Sequence, residues 1–333
     1  MIKIQNGGSI FMRKIFVALL FVALMVSFAF AEEAQKFESK ILNVEIEKNP
    51  ISLYENIPFN SGKERGSQMF SLAMDILQPD SKTPLPLIVY VSGGGFIMAP
   101  KNNWIQQRMR LAEAGYVVAS IEYRHAPLSK FPLPVEDCKL AIRWLRAHAN
   151  QYNIDPERVG ILGNSAGGYL SSFVGLINGN KEFDKGDYLE YSSDVLCAVD
   201  IFGISEVMSI GDDYPEEERK LHDSPGITEA MWVKGVPGFG GPDGGVKDFP
   251  EESRKASPLY YVSEKAVPML FMHGDKDKSV SPSQTDKIYQ ALRAQGIEAE
   301  RYVIPGAAHG GPHWMQEPVM KIMVDFFDKY LKK

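Results

Sequence analysis

Cysteine is scarce in this sequence: its 333 residues contain only two, Cys138 and Cys197. Two thiols are too few for the disulfide framework that holds small exported domains together. Both lie in apolar segments, one with a helical pattern and one with a strand pattern, so we expect two buried free thiols rather than a bridge. The sequence also lacks CxxC and HExxH patterns, and this absence argues against a structural metal.

An excess of positive charge is also missing. The chain has 36 lysines and arginines against 42 aspartates and glutamates, which gives a net charge of −6. This balance provides no basic footprint for nucleic acid, and it does not indicate a strongly acidic substrate. We therefore expect no nucleic-acid partner.

Long apolar runs are limited to residues 15–30, near the N-terminus. A positively charged start at residues 12–14 precedes this run, and Ala29-Phe30-Ala31 ends it with the small-residue spacing of a cleavage site. The alternative, a membrane anchor, is less favoured because the run is short for a bilayer span. We interpret residues 1–31 as an N-terminal extension and signal peptide cleaved after Ala31. The mature chain is then secreted or periplasmic and has no stable membrane anchor.

The remaining chain alternates between strand and helix patterns, which predicts a single α/β domain over residues 32–333. Continuous apolar runs such as residues 87–91 are typical of strands buried on both faces of a parallel sheet. The first two predicted strands form an antiparallel edge. The eight predicted strands cover residues 41–48, 68–77, 87–91, 116–121, 159–162, 197–202, 267–272 and 300–304. The predicted fold is a mostly parallel, eight-stranded sheet with helices on both faces.

The strand and helix pattern breaks down in residues 203–261, after the sixth predicted strand. This segment has acidic runs and a glycine-rich stretch at residues 235–245. Irregular segments of this length inside a domain are usually functional. We interpret the segment as a partly helical cap over a site, with a solvated insertion of no function as the alternative.

The stretch Gly163-Asn164-Ser165-Ala166-Gly167 lies between an apolar strand and a helix-compatible segment. In that context the G-x-S-x-G pattern indicates a sharp turn that exposes a nucleophilic serine, Ser165. Side chains at positions 163 and 167 are expected to collide with the adjoining strand and helix, so glycine is needed there.

Ser165 needs a base, because a free hydroxyl is a weak nucleophile. His309 is favoured because it lies in a loop of small residues after the last strand. His273, which directly ends a buried strand, and His313 are weaker candidates. The acid that orients the base is Asp277 or Asp275, with Asp277 favoured because it lies further into its loop.

Oxyanion stabilisation requires two backbone N–H groups that point at one position. Ala166, at a helix N-terminus, is predicted to supply one of them. Gly94 or Gly95, in the Ser92-Gly93-Gly94-Gly95-Phe96 loop, is predicted to supply the other, because backbone without side chains permits close approach.

These motifs resemble those of α/β-hydrolase esterases, close to the hormone-sensitive-lipase-like and Bacteroidetes feruloyl-esterase-like groups. The resemblance covers about residues 87–331. Besides the serine turn it rests on residues 93–96, 122–124 with 131–132, 137–145, 153–158, 273–277 and 306–310. In this family the pattern H-G-x-x-D places the acid at Asp277. The resemblance implies a carboxylic ester hydrolase that needs no metal or cofactor.

Two residues depart from the family pattern. Ser92 stands where the family usually has histidine, and Asn164 stands where relatives often have aspartate or histidine. The glycine amides do not depend on the side chain at position 92, so catalysis is expected to survive. Asn164 is neutral and is expected to alter the local field only mildly.

We therefore expect a secreted serine esterase acting on small-molecule or polysaccharide esters. By analogy with the feruloyl-esterase-like group, acetyl or hydroxycinnamoyl esters of plant polysaccharide are the expected substrates. A peptidase or amidase with the same three residues is an alternative, and a non-catalytic binding protein is a further one. Four aromatic residues are candidates for an acyl pocket: Phe96, Trp104, Trp232 and Phe239.

Overall fold

The computed structural model of the protein describes residues 39–60 and 71–332. The chain divides into two compact units, Met1–Glu47 and Lys48–Lys333. In the first unit, the described residues 39–47 are exposed and form no regular secondary structure. The signal peptide predicted at residues 1–31 lies outside the described residues.

The second unit is built on an eight-stranded sheet. Its strands are β1 (Ile51–Pro58), β2 (Ala73–Pro79), β3 (Leu85–Val91), β4 (Val117–Ile121), β5 (Ile154–Asn164), β6 (Cys197–Ile201), β7 (Met269–Gly274) and β8 (Ala299–Ile304). They lie in the order β1-β2-β4-β3-β5-β6-β7-β8. The inner strands are rich in β-branched and other apolar residues, and they are buried on both faces as parallel strands require.

Strands β3 to β8 pair in parallel, whereas β1 and β2 form the antiparallel edge. The predicted mostly parallel sheet of eight strands is thereby confirmed. Val91 pairs with Gly163, and Asn164 pairs with Ile201. This register aligns the carboxyl ends of β3, β5 and β6, and groups that follow these strands therefore meet at one edge of the sheet.

Helices cover both faces of the sheet. Helices α1 (Ile105–Glu113) and α8 (Glu317–Leu331) contribute buried side chains to the apolar core on one face. Helices α2 (Leu133–Ala147), α3 (Ala166–Leu176) and α7 (Ser283–Ala294) contribute to the larger core on the other face. Cys138 on α2 and Cys197 on β6 are buried and free, as predicted.

The strand predicted at residues 41–48 is wrong. Those residues form no strand and their apolar side chains are exposed, and the first strand is instead Ile51–Pro58. Most of that edge strand is exposed, so burial imposes no alternation that a sequence pattern would reveal. The second strand begins at Ala73, several residues later than the predicted 68–77, of which residues 68–70 are outside the described part.

The segment 203–261, interpreted as a cap, follows β6 and consists of helical and irregular structure with one isolated β-bridge between Pro237 and Gly241. It holds the short helices α4 (Glu216–His222), α5 (Thr228–Lys234) and α6 (Pro250–Lys255), with three 3₁₀ turns. Across residues 39–60 and 71–332, no helix has both the length and the apolar character needed to cross a membrane.

Candidate active site

The turn between β5 and α3 holds Ser165 in an unusual backbone conformation, with φ 55° and ψ −123°. A β-carbon at Gly163 would lie 2.0 Å from the carbonyl oxygen of Gly167. One at Gly167 would lie 1.9 Å from the carbonyl oxygen of Val91. Real β-carbons do not approach so closely, so both positions require glycine, as the sequence predicted.

Ser165, His309 and Asp277 form one chain of hydrogen bonds, although they lie far apart in sequence. The Nε2 atom of His309 lies 2.8 Å from the Oγ atom of Ser165. Its Nδ1 atom lies 2.7 Å from the Oδ2 atom of Asp277. With its proton on Nδ1, the imidazole donates to the carboxylate and accepts from the serine hydroxyl. This is the arrangement in which histidine can take a proton from serine.

The carboxylate of Asp277 is fully buried, and several donors surround it. Its Oδ1 atom accepts hydrogen bonds from the backbone N–H groups of Ser279 and Val280. Buried His273 places its Nε2 atom 3.2 Å from Oδ2. Burial alone would raise the pKa of Asp277, but the hydrogen bonds from His273 and His309 outweigh it and hold that pKa well below its ordinary value. Asp277 is therefore a fixed negative charge beside the imidazole.

The weaker candidates for base and acid occupy other positions. His273 is wholly buried and contacts Thr285 and the carbonyl oxygen of Val280. His313 is exposed. Asp275 accepts a hydrogen bond from the backbone N–H of Gly306 at 2.6 Å, so it joins the β7 and β8 loops. Of these groups only His273 contacts Asp277 directly.

Two aromatic residues that the sequence analysis did not single out support His309. The ring of Phe202 packs on the imidazole with centroids 4.5 Å apart. Buried Trp314 packs against Phe202 and donates from Nε1 to the carbonyl oxygen of Ala308. Phe202 directly follows β6 and has a φ of 46°. Its position at the carboxyl edge of the sheet is the feature from which the sequence could have predicted a role at this site.

The backbone amides predicted to hold an oxyanion lie around Ser165. Ala166 is the first residue of α3, so its N–H has no partner within the helix. Gly94 and Gly95 line the same cavity as Ser165 and Ala166. A β-carbon at Gly94 would lie 2.2 Å from the carbonyl oxygen of Met98, so this loop also requires glycine. The structure thus places all three residues predicted to supply these amides in the lining of the cavity that contains Ser165.

Asn164 joins the serine turn to the glycine loop. Its Oδ1 atom accepts a hydrogen bond from the hydroxyl of Tyr90 at 2.8 Å and from the backbone N–H of Gly93 at 3.2 Å. An asparagine oxygen has two lone pairs, so both bonds can form together. The neighbouring Ser92, which replaces the usual histidine, is buried, and its hydroxyl has no hydrogen-bond partner among the described residues.

Ser165 opens into a cavity of about 390 Å³. Of the four candidate aromatic residues, Phe96 and Trp104 line it. Segment 203–261 contributes further lining residues: Ile204, Ile210, Thr228 and Glu229. The strand-end loops and this segment therefore both line the cavity.

The other two aromatic candidates, Trp232 and Phe239, do not line the cavity, and their assignment to an acyl pocket is wrong. Trp232 is wholly buried and packs behind Phe96, with ring centroids 4.2 Å apart. Phe239 is 73% exposed within the glycine-rich stretch. The sequence shows that an aromatic residue is present, but only the tertiary structure shows which side of its backbone faces the cavity.

No group of three or more metal-ligating side chains is close enough to hold a metal ion within residues 39–60 and 71–332. The polar groups around Ser165 include those that acyl transfer uses: the serine hydroxyl, the imidazole of His309 and the backbone at Ala166, the first residue of a helix.

Comparison with known proteins identifies a matching family and relatives that are named esterases. Residues 74–292 match the BD-FAE family. The chain is 29% identical to "Esterase LipC" of Mycobacterium tuberculosis over 229 residues, which are 68% of this chain and 53% of that protein. It spans about half the length of the curated relatives that it matches.

Two solved structures, each 26–27% identical in sequence to this chain, have the same fold as this chain. A "truncated form of carbohydrate esterase from gut microbiota" aligns with a TM-score of 0.74 at 27% identity, covering 86% of this chain and 99% of that one. An "acetyl ester-xyloside bifunctional hydrolase from Caldicellulosiruptor lactoaceticus" aligns with a TM-score of 0.65 at 26% identity, covering 82% and 95%. The predicted α/β-hydrolase fold and its esterase relatives are thus confirmed.

Proposed function

This chain belongs to the BD-FAE family, and from that premise we propose that it is a serine carboxylesterase. The observation that carries the proposal is the hydrogen-bonded chain from Ser165 through His309 to Asp277, with distances of 2.8 and 2.7 Å. In this proposal Ser165 is the nucleophile, His309 the general base and Asp277 the residue that orients the imidazole.

The reaction proceeds in two halves. The hydroxyl oxygen of Ser165 attacks the ester carbonyl while Nε2 of His309 takes the hydroxyl proton. The amides of Ala166 and of Gly94 or Gly95 donate to the oxyanion that forms. As the carbon–oxygen bond to the alcohol breaks, His309 gives its proton to the leaving oxygen. Water then attacks the acyl-enzyme, again with His309 as base, and releases the acid and free Ser165.

The proposed substrates are acetyl or hydroxycinnamoyl esters of plant polysaccharide. Support comes from the carbohydrate esterase and the acetyl ester-xyloside hydrolase that share the fold at 26–27% identity. A cavity of about 390 Å³ accommodates a small acyl group together with part of an alcohol. We also propose that the chain is exported, because residues 12–31 have the pattern of a signal peptide.

The test compares Ser165→Ala with the wild-type protein on p-nitrophenyl acetate. We expect kcat/KM to fall about 10⁴-fold or more, because no other group supplies the nucleophile. The matched control, Ser192→Ala at an exposed position, should retain wild-type activity. Unchanged ester cleavage in Ser165→Ala would overturn the proposal.

The leaving group and the acyl group are tested separately. p-Nitroacetanilide presents the same acyl group as p-nitrophenyl acetate on an amide, and faster cleavage of the anilide would indicate an amidase instead. Acetyl-xylan and methyl ferulate then distinguish the acetyl from the hydroxycinnamoyl specificity.

A further inference from the structure

Glu229 occupies an unusual position for a charged residue. It lies near the start of α5, is 4% exposed and contributes to the wall of the cavity that contains Ser165. No other aspartate, glutamate, lysine or arginine is among the described residues that line this cavity. A carboxylate is rarely buried unless partners compensate its lost hydration, so the contacts of Glu229 need an explanation.

Two side chains hold the carboxylate in place. The Nδ1 atom of His222, on α4, lies 2.7 Å from Oε1 of Glu229. The hydroxyl of Thr228 donates to Oε2 at 3.1 Å. His222 in turn stacks on Tyr214, whose hydroxyl donates to the carbonyl oxygen of Asp277 at 3.3 Å. These contacts connect the carboxylate of Glu229, through segment 203–261, to the loop of the proposed acid.

The carboxylate still has the capacity to accept more hydrogen bonds. Its two oxygens offer about four acceptor sites, and the two contacts with His222 and Thr228 use half of them. In the described part of the chain, neither His222 nor any lysine or arginine lines the cavity. A substrate next to Glu229 therefore meets a fixed acceptor with negative charge, in a buried setting where charge interactions are stronger than in water.

On this basis we propose that Glu229 is a specificity-determining residue that accepts hydrogen bonds from hydroxyl groups of the substrate and excludes substrates with a negative charge near the ester. The inference rests on the proposed esterase function and identifies its substrate class as neutral, hydroxyl-bearing esters. The rest of the described lining is uncharged and mixed, with apolar side chains such as Phe96 and Ile210 and polar ones such as Asn103 and Ser279, so Glu229 is its one acidic group.

The first test uses the wild-type protein and two matched substrate pairs at pH 8. Glycerol 1-acetate and propyl acetate differ in hydroxyl groups, and monomethyl succinate and dimethyl succinate differ in one negative charge. We expect kcat/KM to be about tenfold higher for the hydroxylated and for the neutral member of each pair, since a hydrogen bond to a charged group commonly contributes that much. Equal rates within both pairs would overturn the inference without any variant.

The second test uses Glu229→Gln, which keeps the shape and removes the charge. We expect the preference for glycerol 1-acetate and the discrimination against monomethyl succinate each to fall about tenfold, mainly through KM. Cleavage of propyl acetate is measured in the same variant as the reference, so that a loss of activity common to all esters cancels in both ratios. Unchanged ratios in a folded Glu229→Gln protein would contradict the assignment.

The control is Glu217→Gln, which removes the same charge from the exposed surface of α4, where the Glu217 side chain is 89% exposed. It should alter neither ratio. Failure of this inference is distinguishable from failure of the proposed function. The inference about Glu229 fails if the kcat/KM ratios between paired esters do not behave as expected in an active protein. The esterase proposal itself fails if the wild-type protein does not cleave p-nitrophenyl acetate.

Discussion

The cavity at Ser165 has two walls of different construction. One wall consists of loops at the carboxyl ends of the strands, and backbone constraints fix its atoms: Gly163 and Gly167 are positions where no β-carbon fits. The other wall belongs to segment 203–261, whose turns and short helices present side chains such as Ile210 and Glu229. The first wall carries Ser165, Ala166 and His309, and the second adds the side chains of Ile204, Ile210, Thr228 and Glu229. The proposed catalytic groups and the proposed specificity residue Glu229 therefore lie in different parts of the chain.

The sharpest test of the first wall is Asp277→Asn. The amide removes the charge that stabilises the imidazolium and permits the wrong tautomer of His309, so we expect kcat to fall about 10³- to 10⁴-fold with KM little changed. Steady-state kinetics on p-nitrophenyl acetate provide the measurement. Asp275→Asn is the matched control, because Asp275 contacts Gly306 rather than the imidazole. A larger loss in the Asp275 variant would reverse the assignment of the acid.

Trp232→Ala tests how firmly the second wall is attached to the rest of the molecule. Trp232 lies in α5 but is wholly buried against Phe96 and Tyr169, which belong to the first wall and its helix. We expect the free energy of unfolding to fall by about 3–5 kcal/mol, the usual cost of a cavity left by a large aromatic residue. Urea denaturation followed by circular dichroism measures it. A loss below about 1 kcal/mol would mean that segment 203–261 contributes little to the core, since even small core truncations usually exceed that value.

Asp200→Asn tests a charge buried beneath the first wall. Burial raises the pKa of Asp200 to about 7, although hydrogen bonds from Ser172 and the N–H of Gly203 partly oppose this. Between the ordinary pKa of an aspartate and about pH 7, Asp200 is ionised in the unfolded chain but keeps its proton in the folded protein. The contribution of Asp200 to stability is therefore present at low pH and lost as the pH rises through about 7.

Asparagine at position 200 has no such titration. Its Oδ1 atom can still accept from the N–H of Gly203, and its Nδ2 atom can donate to the hydroxyl oxygen of Ser172. We expect the stability of the variant relative to wild type to increase by about 2 kcal/mol between pH 5 and pH 8. Unfolding curves at both pH values provide the measurement, and a pH-independent difference would contradict the buried charge.

The smallest effect is expected at Phe239, on the exposed part of the second wall. Phe239→Ala should change the free energy of unfolding by less than about 0.5 kcal/mol, because the side chain is 73% exposed. It should leave kcat/KM on p-nitrophenyl acetate within about twofold, since Phe239 does not line the cavity. A tenfold loss on this ester would place Phe239 at the substrate.

The two walls also differ in how well the sequence predicted them. Strand-end loops were predictable because parallel strands align their carboxyl ends, so Ser165, Asp277 and His309 had to share one edge of the sheet. Glycine spacing around Ser165 followed from steric limits on a tight turn. In segment 203–261 no comparable rule applies, and the sequence pattern did not reveal that Trp232 faces inward while Phe239 faces solvent. The exposed edge strand β1 escaped prediction for a related reason, since little burial imposes a pattern on it.

Asn164 has a consequence for how this site can change over successive mutations. The single amide oxygen of Asn164 accepts hydrogen bonds from Tyr90 and from the N–H of Gly93. The serine turn and the glycine loop are therefore connected through one acceptor atom. A substitution at position 164 therefore disturbs both halves of the amide donor set, and a substitution at position 90 disturbs it through the same oxygen. Directed evolution should find beneficial changes at these two positions in combination, with strong epistasis between them, rather than one at a time.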